Sequence, residues 1–169
     1  YEDQLLTVYR QLVEQPEVNA HDTRMVPNTF EGGTLGGKLG PVTYFGGVLS
    51  KMKERDSDTF VNMADVVGVQ QNELMYLGSL AFAPEEGAEL RSSAYLVPNV
   101  LASSYSDGHW TFDLADDLRL RLSGQFMIQG GVGEELLTGP GFRPWVAGVM
   151  GDLEAARQQF EKARSFKSI

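Results

Sequence analysis

Leu118-Arg119-Leu120-Arg121-Leu122-Ser123-Gly124-Gln125-Phe126-Met127-Ile128-Gln129 separates into two faces when it is read as an extended strand. Successive side chains of a strand point to opposite sides. One side carries Leu118, Leu120, Leu122, Gly124, Phe126 and Ile128; the other carries Arg119, Arg121, Ser123, Gln125, Met127 and Gln129. The preceding stretch repeats the pattern, with Trp110, Phe112 and Leu114 against His109, Thr111 and Asp113. Ala115-Asp116-Asp117 lies between them as a turn, so the two strands read as a hairpin with one apolar and one polar face. A polar face bearing arginines fits solvent on a soluble sheet and equally fits water in a pore. Alternation alone leaves both readings open.

The same period extends outward along the chain. It begins at Gly33, where Thr34 to Leu39 and Val42 to Lys51 flank the turn signal Gly40-Pro41. Glu73 to Ala83 and Ala88 to Val97 flank Pro84-Glu85-Glu86-Gly87; Leu74, Tyr76, Gly78, Leu80 and Phe82 oppose Glu73, Met75, Leu77, Ser79 and Ala81. Tyr105 to Leu114 follows a loop at Pro98 to Ser104, and Arg143 to Met150 follows a Gly-rich loop at Gly130 to Phe142. Gln4 to Leu12 fits a strand or a short helix, and Glu14 to Phe30 reads as a loop. Lys51 to Asp58 is a charged loop that runs on to Gly68 with room for a helical turn. Short turns thus alternate with long loops, the asymmetry of outer-membrane barrels.

The tail breaks the period. Leu153, Ala156, Phe160 and Ala163 recur at helical spacing within Asp152 to Phe166, with Asp152 placed as a cap. The expected fold is therefore all-β. It is an antiparallel meander of hairpins over 1–151, either part of a transmembrane-type β-barrel or a small one, with an amphipathic helical tail over 152–169.

Composition removes several classes of function. The chain has 169 residues, 42% of them hydrophobic, and contains no run of roughly 20 apolar residues for a membrane helix. Barrels escape that test because lipid-facing and lumen-facing residues alternate. A net charge of −9 argues against nucleic acid as a partner. The absence of cysteine removes disulfides, thiolate catalysis and Cys-based zinc sites. Tyr1-Glu2-Asp3 has neither the basic region nor the apolar core of a leader, so a mature, trimmed or cytosolic start is expected. His21 and His109 are too far apart in sequence for a metal motif, and no nucleophile stands in a recognisable setting. Asp56-Ser57-Asp58 lacks the glycine and distal glutamate of a calcium loop, and Gly130-Gly131-Val132-Gly133 lacks the Gly-Lys-Ser/Thr of a phosphate loop. No enzyme activity, cofactor or metal is expected.

Three ordered segments carry a family resemblance. They are Asp22-Thr23-Arg24-Met25-Val26-Pro27-Asn28-Thr29-Phe30-Glu31-Gly32; Lys51 to Val61 with Gly68-Val69; and His109 to Leu118 closing on Val132 to Gly139. Together they span Leu6 to Met150, and they resemble a middle portion of the OprD-type outer-membrane porins of Gram-negative bacteria. The resemblance implies a many-stranded barrel whose lumen is narrowed by inward-folded loops and lined on one side by basic residues. It implies passive diffusion of small anionic or zwitterionic solutes, such as carboxylates or amino acids, with outer-membrane lipid as the other partner. A cationic wall lowers the cost of admitting an anion, and several weak sites let it leave.

The candidate solute contacts are Arg24, Arg119, Arg121, Arg91 and Lys38. The resemblance places Arg24 near the constriction; the bland reading is a solvated loop arginine. Arg119 and Arg121 lie on the polar face of the cleanest strand, and Arg91 and Lys38 lie on polar faces as well. Each is equally an ordinary outward charge if the sheet is soluble. The alternative function is a soluble β-rich module that binds a small molecule or a partner without catalysis. The direction of Leu120, Leu122 and Phe126 separates the two: outward for lipid, inward for a soluble core.

Overall fold

The computed structural model describes residues 4–20 and 27–155. The strands are β1 (Gln4–Gln11), β2 (Thr29–Leu39), β3 (Val42–Lys53), β4 (Val61–Asn62), β5 (Met75–Glu85), β6 (Ala88–Val97), β7 (Leu101–Ala115), β8 (Leu118–Gly130) and β9 (Trp145–Ala155). Their order in the sheet is β1-β2-β3-β5-β6-β7-β8-β9, with β4 as a short appendage of β3. Every neighbour pairs antiparallel. The meander expected from period and turns is therefore present, and Gln4 to Gln11 is a strand. A single 3-10 turn at Asp65–Val67 sits in the long β3–β5 connection.

Loop lengths divide the sheet into two ends. At one end Gly40-Pro41, Glu86-Gly87 and Asp116-Asp117 make two-residue turns. Gly40 has φ +58, a left-handed conformation that suits a residue without Cβ. At the other end lie the long connections 12–28, 54–74 and 131–144. One link at that end is shorter than the sequence implied. Pro98-Asn99-Val100 turns tightly and β7 begins at Leu101, so Leu101 to Ser104 is strand rather than loop. The serines there misled the reading, because Ser103 is buried by a segment distant in sequence. Asn99 takes φ +59, its amide donates to Glu73 Oε1 at 2.8 Å, and its carbonyl accepts from the Leu136 N–H at 2.9 Å. The tight turn thereby ties both neighbouring long loops together.

The tail also differs from expectation. Residues 152–155 belong to β9, where Asp152 pairs with Arg121, Leu153 with Leu120 and Glu154 with Arg119. The ladder of β8 offers each of these residues a backbone partner, and the alternation continues through them. The expected helix does not start at Asp152, and β9 crosses the expected boundary at 151. Residues 156–169 lie outside the described residues.

The two faces are unlike. One face carries Leu80, Phe82, Leu90, Trp110, Leu122, Phe126, Val149 and Leu153, all exposed, with Val149 at 88%. Leu39, Val42, Phe82 and Leu90 follow one another in register across four strands. Trp110 stacks on Phe112 with centroids 6.1 Å apart, and Phe126 on Trp145 at 6.5 Å. The buried core lies on the opposite face. There Phe30, Leu49, Met75, Leu77 and Val97 of the strands are covered by Val13 and Val18 of the β1–β2 loop and by Met63, Ala64 and Val69 of the β3–β5 connection.

A β-bulge makes that core possible. Glu31 pairs with Lys51 but Gly32 pairs with Leu49, leaving Ser50 as the extra residue. Leu49 and Met52 consequently both join Phe30 on the loop-covered face. Ser50 Oγ donates to the Glu31 carbonyl at 3.1 Å and fastens the bulge. Full burial of Phe30 and Leu49 contributes about 1.5–3 kcal/mol each. Close approach of β2 also fixes Gly47, where a Cβ would lie 2.6 Å from the Gly33 carbonyl oxygen. Its neighbour Gly46 faces the open side, and a Cβ there meets the Leu77 carbonyl oxygen at an ordinary 3.6 Å. Gly47→Ala is expected to cost about 1–3 kcal/mol, and Gly46→Ala less than about 0.5 kcal/mol. Denaturant unfolding followed by tryptophan fluorescence measures both.

Candidate functional site

The loop-covered face of β6–β9 carries rows of charged side chains. Paired residues share a face, so register places them without ambiguity. Arg91 stands opposite Asp107, and Asp107 opposite Gln125. Thr111, Arg121 and Asp152 form a second row, and Asp113, Arg119 and Glu154 a third, nearest the short turns. Lys38 reaches the row of Arg91 through Thr43 and Ala81. Three strand spacings separate Lys38 from Arg91, roughly 14 Å.

These arginines are not equivalent. Arg91 donates to Asp107 Oδ2 from Nη2 at 2.7 Å and from Nε at 3.2 Å, with Glu89 Oε1 at 3.9 Å. Arg119 donates to Asp113 Oδ1 at 2.8 Å, in the open near the turn. Arg121 makes no ion pair or side-chain hydrogen bond among the described residues. It lines a cleft of about 450 Å³ together with Arg91, Tyr105, Asp107, His109 and Gln125.

A second cleft, of about 760 Å³, lies between the β1–β2 loop and the same wall. Glu14 and Glu17 of the loop face Arg91, Tyr95, Tyr105 and Asp107 across it. The two clefts share Arg91, Tyr105 and Asp107, so they form one corridor along the face. The loop is held there by Val13, Val18 and Ala20 in the core and by the Ser103 hydroxyl, which donates to Glu17 Oε1. Burial raises the Glu17 carboxyl above the usual carboxylate range, and the Ser103 hydrogen bond partly offsets this. Asp107 Oδ1 is buried and has no hydrogen-bond partner among the described residues, which leaves a strong acceptor beside Arg91.

The structure thus brings Arg91 and Arg121 to one cleft, sets Arg119 at its rim and aligns Lys38 with the row. Arg24 lies outside the described residues. The wall is mixed in charge: β6 to β9 place three arginines and five carboxylates (Glu89, Asp107, Asp113, Asp152, Glu154) on this face. Sequence reading missed Glu17, Tyr105 and Asp107 and treated the β1–β2 connection as a plain loop. The signal available was its apolar content, Val13, Val18 and Ala20 in an otherwise polar stretch.

No protein-family model matches the sequence, and no curated protein matches it. Solved structures do match. OpdL of Pseudomonas aeruginosa superposes on 92% of this chain and 42% of its own, with a TM-score of 0.72 and 21% identity. OccK9 (OpdG) of Pseudomonas aeruginosa covers 89% of this chain and 40% of its own, at a TM-score of 0.73 and 17% identity. A BenF-like porin from Pseudomonas fluorescens Pf-5 covers 89% and 39%, at 0.69 and 14% identity. The chain spans about two fifths of the length of each of these structures. Such identities speak for the fold. The fold of this chain is that of a portion of an OprD-type porin barrel, the architecture its three ordered motifs resemble.

Proposed function

We propose that this chain is a section of an outer-membrane porin of a Gram-negative bacterium, through which small anionic or zwitterionic solutes diffuse passively. The observation that carries the reading is the direction of the apolar face. Leu122 and Phe126 are each 44% exposed on the side that no described loop covers, while the buried core and the charged rows of β6 to β9 share the other side. Such an uncovered apolar expanse across eight strands is hard to reconcile with a soluble binding module. Lipid accounts for it, with the loop-covered face toward a lumen.

The corridor then forms part of the solute path, and no bond chemistry is needed. Arg121 offers a charge-assisted contact to a carboxylate, with Arg91 and Asp107 beside it as a coupled donor and acceptor. The mixture of signs suits a zwitterion, whose carboxylate and ammonium find partners a few ångströms apart. Exposed and already-paired charges bind weakly, which passage requires. A solved OpdK structure from Pseudomonas aeruginosa contains vanillate, a carboxylate. Outer-membrane lipid and small solutes are the partners proposed; nucleic acid is not.

Two measurements test the reading. The whole protein, reconstituted in planar bilayers, is expected to conduct; absence of conductance in every refolded preparation removes the channel assignment. Arg121→Ala is then expected to lower the permeability of a small carboxylate roughly two- to five-fold, equivalent to about 0.4–1 kcal/mol. Phe126→Arg on the lipid side is expected to cost about 2–4 kcal/mol in a bilayer. Gln125→Arg on the lumen side is expected to stay within about 1 kcal/mol. Equal costs at the two positions argue against a lipid-facing belt.

A further inference from the structure

We infer that Glu17 sets the charge selectivity of this corridor and does so in a pH-dependent way, an inference that rests on the channel reading above. Glu17 is carried by the β1–β2 loop, yet its carboxylate is fastened to the barrel wall by the Ser103 hydroxyl of β7. The loop cannot swing away easily, because Val13 and Val18 on either side of Glu17 are buried in the core. The carboxylate is therefore a fixed part of the lumen lining, beside the cleft of about 760 Å³.

Among the described residues no cation forms an ion pair with it. From its own loop it is faced by Glu14, from β6 by Tyr95 and Arg91, and from β7 by Tyr105 and Asp107. Arg91 is already engaged by Asp107 and lies near Glu89. The lining contributed by β8, Met127 and Gln129, is uncharged. A carboxylate that is desolvated by burial holds its proton more tightly than an exposed one. Its titration is displaced upward, in the direction found for Glu17.

The sign follows directly. Above its pKa Glu17 adds one negative charge beside the cleft and favours cations. As pH falls through that raised pKa the charge is lost, and anions gain relative to cations.

Reversal potentials under a KCl gradient, measured on the whole protein in planar bilayers from about pH 7.5 to about pH 4, test the inference. The anion-to-cation permeability ratio of the unaltered protein is expected to rise about two-fold in a step above the ordinary carboxylate range. Glu17→Gln is expected to hold the low-pH ratio at neutral pH and to lack that step, whereas Glu134→Gln in the β8–β9 loop keeps it. Ser103→Ala removes the hydrogen bond that favours the ionised form and is expected to move the step to higher pH. Should Glu17→Gln fail to fold, Ser103→Ala decides alone. A step that persists in Glu17→Gln, or a midpoint unmoved by Ser103→Ala, overturns the inference while leaving the channel intact. Absence of conductance at every pH instead defeats the channel reading itself.

Discussion

The pairing of backbone amides governs everything else in this molecule. A strand in hydrocarbon cannot give its N–H and C=O groups to water, and each one left alone costs several kcal/mol. From β2 to β8 every strand of the meander has a neighbour on both sides, and the two-residue turns pass directly from one ladder to the next. β1 and β9 are paired on one side only. The solved barrels are more than twice as long as the stretch they share with this chain, ample for further strands along those edges.

With the backbone satisfied, the side chains are free to invert the usual rule of a soluble sheet. The broad apolar face stays uncovered, and the compact core forms on the side that also carries the charges. The two are segregated along the strand axis. Near the long loops, Phe30, Leu49, Met75 and Val97 are sealed by apolar residues of the connections. Nearer the short turns, Arg91 and Arg121 line an open cleft and Arg119 pairs with Asp113 in the open. The connections that cover this face have a hydrophobic underside, and Glu14 and Glu17 stand at their margin. The bulge at Ser50 adjusts the pleat just where that cover begins.

Electrostatics in the corridor reflect that arrangement. Arg91 is held in place by Asp107, so it presents a fixed donor instead of a mobile cation. Arg121 has no such partner among the described residues. Glu17 introduces the opposite sign from the loop, through a contact that spans 86 residues of sequence.

The sequence by itself determined the strands, the short turns and the division into two faces. Period-two alternation and the signals at Gly40-Pro41, Gly87 and Asp116-Asp117 are local, and local preferences agree with the final ladder at each of them. Its ordered motifs also pointed to the right barrel architecture, and Arg91 and Arg121 were correctly put on the polar face. What lay beyond it was whatever depends on contacts between distant segments. Ser103 reads as loop until Glu17 is placed against it, and Asp152 to Ala155 read as the start of a helix until the ladder of β8 claims them. Nor does alternation say which face is covered. That was decided only when the β1–β2 and β3–β5 connections folded onto the charged side, because burying Val13, Val18 and Met63 against Phe30 and Leu49 requires a closing of loops whose geometry no local pattern encodes.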